Sequence, residues 1–173
     1  MKGKEGSRAS PTASGEGSKG EVERIAAQID RGYRDGFWGG GPIGGLFRSL
    51  TAAEALAHPI AGAHSAWEIA LHIGAWHDIF RGRITGEDVE GRLKTDWPEP
   101  SGATDSAWQE TLAGLEEGLE ALVNAVRHLE AEKLDPLLPG RDFTVREMLH
   151  GIPQHDLYHS GQVLMLRKAL RGA

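Results

Sequence analysis

The 173-residue chain contains no cysteine. Disulfides, thiolate metal ligands and a cysteine nucleophile are therefore excluded, although a chain without thiols is compatible with any redox compartment. It has no apolar run approaching the length of a membrane span, so no membrane partner is expected. It lacks an excess of positive charge: the formal net charge is -6, and the basic footprint of a nucleic-acid binder is missing. Arg167, Lys168 and Arg171 cluster near the C-terminus, where they complement the end of a helix. Lys2 and Lys4 are not followed by the apolar stretch of a secretory signal, and the cytoplasm is the default expectation. Between Met1 and Gly20 no large apolar side chain appears. Such a segment cannot bury enough surface to offset its ordering entropy, so residues 1–20 are expected to be a disordered tail. No segment of useful length alternates with period two, and no repeat of solenoid length occurs.

What is present is helical periodicity. Val22, Ile25, Ile29 and Tyr33 recur every three or four residues, forming one apolar stripe that runs towards Phe37 and Trp38 before Gly39-Gly40-Gly41-Pro42 breaks it. A short helix is expected around Leu46–Leu50, and Thr51-Ala52-Ala53-Glu54 matches a capping box opening another. Ser65-Ala66-Trp67-Glu68 is a second capping box. It opens a long helix with Ile69, His72, Ile73, Trp76, Ile79 and Phe80 facing the core and Gly86 just beyond its end. Residues 87–103 read as a long loop. Asp105 or Ser106 can cap a third long helix, whose stripe is Trp108, Leu112, Leu115, Leu119, Leu122, Val126 and Leu129. Thr144-Val145-Arg146-Glu147 opens the last helix, with Val145, Met148, Leu149, Ile152, Val163, Leu164 and Leu166 as apolar contacts. Pro153 inside it should kink or restart it. Four long amphipathic segments without strands indicate one all-α bundle domain over residues 21–173.

His155 and His159 stand four residues apart, one turn apart on one face of the last helix. His72 lies in the core stripe of the second long helix. Three inward histidines from two helices can converge on one divalent metal, leaving positions open for water or substrate. Spacing alone leaves a second reading open, in which each is a satisfied core histidine without metal. The pair does not match the zincin pattern H-E-x-x-H, since Asp156 stands in place of Glu. His77 and His150 are turned about 140° from His72 and His155 and are expected at a flank or surface. His58, His64 and His128 read as loop or surface residues. Asp78 and Asp156 are expected to face solvent or to accept from a ligand's free N–H.

The run His155-Asp156-Leu157-Tyr158-His159-Ser160-Gly161-Gln162 and the residues after it resemble the last helix of the DinB-like (DinB/YfiT) family of metalloenzymes. Ser65–Trp76, with His72 inside it, resembles the family's second helix. Asp96-Trp97-Pro98 and Trp108 resemble a subgroup. The resemblance implies a four-helix bundle of up-down-down-up order, frequent homodimers, and a metal held by His72, His155 and His159. Zinc or nickel is the expected metal, with iron and manganese as alternatives. It further implies a small-molecule substrate and, by analogy with thiol-dependent relatives, a metal-dependent S-transferase using a low-molecular-weight thiol such as bacillithiol or mycothiol. Relatives that act as isomerases carry Glu where this chain has a ligand His. Trp76, Trp38 and Trp97 would wall the pocket, Gln162 would orient a ligand or substrate, and Asp156 would support a ligand. A metal-dependent hydrolase and a non-catalytic, stress-related metal-binding module are the alternatives.

Overall fold

A computed structural model describes residues 13–36, 38 and 40–172. Six α-helices make up the described chain: α1 (Ala13–Arg34), α2 (Ile43–Arg48), α3 (Ala52–Leu56), α4 (Ala66–Thr85), α5 (Asp105–Arg127) and α6 (Val145–Arg171). Short 3-10 turns occupy Arg92–Lys94 and Ala131–Lys133, and no strand occurs among the described residues. The fold is all-α, as the periodicity implied. Of the expected tail, residues 1–12 lie outside the described residues. Residues 13–20 instead form the first turns of α1. Phe37 also lies outside the described residues.

The four long helices enclose one core. Both α1 and α4 pack against α5 and α6, and the short α2 bridges α1, α5 and α6. Local chemistry sets the helix ends. Thr51, Ser65 and Thr144 each accept from the third backbone N–H while Glu54, Glu68 and Glu147 return a carboxylate to the cap N–H, each cap contributing about 1 kcal/mol. The cap of α5 is Thr104, not Asp105 or Ser106; its hydroxyl accepts from Ala107 N at 3.2 Å. Gly86 ends α4 in the left-handed region, φ 82°, where a side chain would be strained.

The core is built around Trp67 and Trp108, whose rings lie 5.0 Å apart, with Phe47 edge-on to Trp108. Both indoles are buried with their N–H satisfied: Trp67 donates to Thr111 Oγ1 and Trp108 to the Leu50 carbonyl. The expected stripes of α1, α5 and α6 fill the space between, with Leu129, Val145 and Leu164 only partly buried. Pro153 neither ends nor restarts α6, which runs as one helix from Val145 to Arg171. Its missing N–H costs one backbone bond. Burial of Leu149, Ile152 and Pro153 itself holds the helix together across that gap.

Candidate metal centre

The long helix α4 is buried over much more than one stripe, because α5 flanks one side of it and α6 the other. His72 and His77 are consequently both inside. His72 faces α6 and meets His155 and His159 there. Its Nε2 lies 3.2 Å from His155 Nε2, and one ligand nitrogen from each of His72, His155 and His159 falls within 4.8 Å of the others. His72 and His159 are buried, and the His155 side chain keeps 23% of its exposure.

Each imidazole has an oxygen beside its other nitrogen. His72 Nδ1 donates to the Asp96 carbonyl at 2.7 Å. His159 Nδ1 donates to Gln162 Oε1 at 2.7 Å. His155 Nδ1 lies 3.5 Å from Asp156 Oδ1. Carbonyl and carboxylate oxygens only accept, so the protons sit on Nδ1 and the Nε2 lone pairs are left to converge. This is the outer support that fixes tautomer and ring orientation in histidine metal sites. The donor set fits a divalent ion of the zinc kind: two nitrogens bound at about 2.0–2.1 Å with a tetrahedral angle stand about 3.3 Å apart, close to the observed separation of His72 and His155.

Burial pushes the His159 imidazole down to about 4 from its ordinary 6.5, aided by His155 and His72 and opposed by Gln162. Burial also lowers His72, against the opposing pull of Asp96. Both rings are therefore neutral at pH 7, as ligation requires. Behind His155 lies Asp156, fully buried and paired with His77, whose Nε2 approaches the two carboxylate oxygens at 3.2 and 3.0 Å. Burial alone would raise this carboxyl. The charge of His77 and the hydrogen bonds from His155 and His77 outweigh it and hold the group at about 2. His77 thus lies in the interior, not at a flank or surface, and among the described residues its Nδ1 has no partner.

The loop between α4 and α5 closes one side. Trp97 stacks on His72 at 4.0 Å and on His64 at 3.6 Å. Two parallel rings this close to one indole must lie on opposite faces, so Trp97 is sandwiched between them. His64 is an exposed loop residue, as the sequence reading has it, and it covers the outer face of Trp97. Trp76 meets His72 edge-on and His155 at 5.9 Å, and donates to Asp96 Oδ1 at 2.8 Å. Asp96 therefore supports His72 with its backbone and Trp76 with its side chain. Trp38, expected at the pocket, is fully exposed and takes no part. Asp78 also stands apart, held by Arg81 and Arg92.

Two cavities lie near the site, bordered by residues that contact the histidines and not by His72, His155 or His159 themselves. One, of about 470 Å³, is bordered by His64, Ile69, Tyr158, Gln162, Met165 and Leu166. The other, of about 530 Å³, lies on the far side of Trp76 and Phe80. Gln162 reaches both the first cavity and His159, so a ligand there would touch the residue that orients the ring.

Residues 44–163 match the family model of the DinB superfamily. No curated protein matches the chain. A crystal structure of a conserved protein from Enterococcus faecalis resembles it over 94% of this chain and 99% of that one, with a TM-score of 0.57 at 15% identity, a likeness of fold alone. No helix among the described residues is long and apolar enough to cross a membrane.

Proposed function

The chain belongs to the DinB superfamily, and on that premise we propose that it is a metal-dependent enzyme joining a low-molecular-weight thiol to an electrophilic small molecule. The observation that carries the reading is the convergence of three histidine nitrogens, each ring braced from behind, beside a cavity able to take a small molecule. A divalent metal held by His72, His155 and His159, zinc or nickel before iron or manganese, would lower the pKa of the thiol so that thiolate forms at neutral pH.

The reaction balances without a redox partner. A sulfur–carbon bond forms, the bond from that carbon to its leaving group breaks, and the thiol proton departs with the leaving group. The chain's own part is to keep His72 and His159 neutral, to hold their rings through Asp96 and Gln162, and to cover the face of His72 with Trp97. Hydrolysis is the less favoured reading. A general base is wanted there, yet the nearby carboxylates are committed: Asp156 to His77, and Asp96 to Trp76.

Metal content of untagged protein, compared with His72→Ala and His155→Ala, is the first test. Near-stoichiometric metal lost in both variants is expected. Wild-type protein that takes up none of the four ions would end the proposal. Metal-dependent conjugation of bacillithiol, mycothiol or glutathione to chlorodinitrobenzene then tests the transfer itself. Turnover of esters without any thiol would instead favour hydrolysis.

A further inference from the structure

The cavity beyond Trp76 and Phe80 has an unusual charge arrangement. Arg83, near the end of α4, and Arg141, in the loop before α6, both line it. Among the described residues neither guanidinium has a carboxylate within ion-pair distance or any side-chain hydrogen bond, although most other arginines of the fold are paired. Arg83 lies over the Trp76 ring, 5.7 Å from its centroid. Burial lowers its pKa, and Arg141 adds to the effect, so the two cations sense each other. Glu90 acts on Arg83 from a distance without pairing to it.

The remaining lining is largely apolar, with Phe80, Phe143 and Met148 among it. Among the described residues its acidic member is Glu147, whose carboxylate accepts from Thr144 N at 2.7 Å and Thr144 Oγ1 at 2.9 Å. That side chain is spent on the helix cap. Arg83 is half-buried and Arg141 exposed, so the two guanidiniums stand at the mouth of an apolar wall, and among the described residues no carboxylate is paired to either; a carboxylate entering there would meet both forks.

We propose that Arg83 and Arg141 form an anchoring site for the carboxylate of a small organic acid whose apolar body lies against Trp76, Phe80 and Phe143. Guanidinium groups present paired N–H donors that match a carboxylate. Among the described residues no lysine joins them in the lining, so the cationic donors there are two guanidinium forks. Trp76 and Phe80 separate this cavity from His155, whose ring is 5.9 Å and 6.3 Å from theirs. An acid anchored at the arginines therefore lies one aromatic ring away from the three histidines. Its role as a substrate's anchor rests on the metal-enzyme reading above; the anion site itself rests on the arginines.

The test is calorimetric titration of metal-loaded protein with 4-phenylbutyrate and with the neutral 4-phenylbutanol. Wild type should bind the acid at least tenfold more tightly than the alcohol. Arg83→Gln with Arg141→Gln should lose that preference while keeping alcohol binding, melting temperature and metal content. Arg83→Lys, which keeps the charge and loses the fork, should fall between them and serves if the double variant fails to fold. Equal affinity for acid and alcohol, or no binding of the acid, overturns the proposal. So does acid binding unchanged in the arginine variants, because the carboxylate would then be sitting on the metal. Arginine-dependent acid binding by wild-type protein that cannot hold metal would sustain the anion site and sink the enzyme reading.

Discussion

Replacing Asp156 with Ala removes the carboxylate between His77 and His155. His77 is wholly enclosed and its Nδ1 already lacks a partner, so the substitution leaves a buried imidazole with neither nitrogen satisfied. Breaking a buried charge-assisted pair from one side costs about 3–5 kcal/mol. For a domain of this size each kcal/mol moves the melting temperature by about 2–4 °C, so a drop of roughly 6–20 °C is expected in metal-free protein. The pH dependence supplies an independent magnitude. The carboxyl is held at about 2 against an ordinary 3.8, which corresponds to ~2 kcal/mol of stability. Because the folded value is depressed, that stability is present above the unfolded value and is lost as pH falls through the folded one. The gap between wild type and Asp156→Ala should therefore be full at pH 6 and narrow progressively below about pH 5. Combining Asp156→Leu with His77→Leu removes both partners and should recover much of the loss. Thermal unfolding of the variants across pH is the assay. A fall of under about 2 °C for Asp156→Ala, or a gap that does not narrow in acid, would refute the reasoning.

Three further outcomes follow from the same geometry. Burial holds His159 at about 4 and lowers His72, so the unfolded chain takes up protons there that the native state refuses. Metal-free protein should lose stability as pH falls from 6.5 towards 4 and change little above, and a flat melting temperature over that range would contradict this. Gln162→Leu removes the acceptor behind His159 and should weaken metal binding by about 10–100-fold, measured by competition with a chelating dye; unchanged affinity would remove Gln162 from the site. Ser65→Ala unmakes the cap of α4 and should cost about 1 kcal/mol in denaturant titration, without altering which metal binds.

The helices and the three inward histidines could be read from the sequence because each depends on local pattern: capping boxes at Thr51, Ser65 and Thr144, and apolar steps of three and four. What could not be read depends on how many neighbours a helix has. The 140° turn of His77 from His72 points to a flank or surface on a helix buried along one stripe. On α4, with α5 and α6 against it, that direction is also interior. A clue was available in Asp156, one residue after His155, since a carboxylate beside a core histidine wants a partner. Asp96 stands out in the sequence only through the Asp96-Trp97-Pro98 resemblance; its support of His72 left no trace, because that contribution is a backbone carbonyl that any residue could supply. Trp38 shows the opposite error: a large aromatic suggested a pocket wall, and the chain carries it out to the surface.

The contact between His72 and His155 joins positions 83 residues apart. During synthesis the first of these histidines leaves the ribosome long before the other two, and no fragment ending before α6 contains more than one of the three. Closing so long a stretch of chain is a late and entropically costly event in folding. The nitrogen cluster therefore depends on a contact that spans much of the chain. It comes into being when the last helix docks, and loading with an ion would serve as a timestamp on the completed fold.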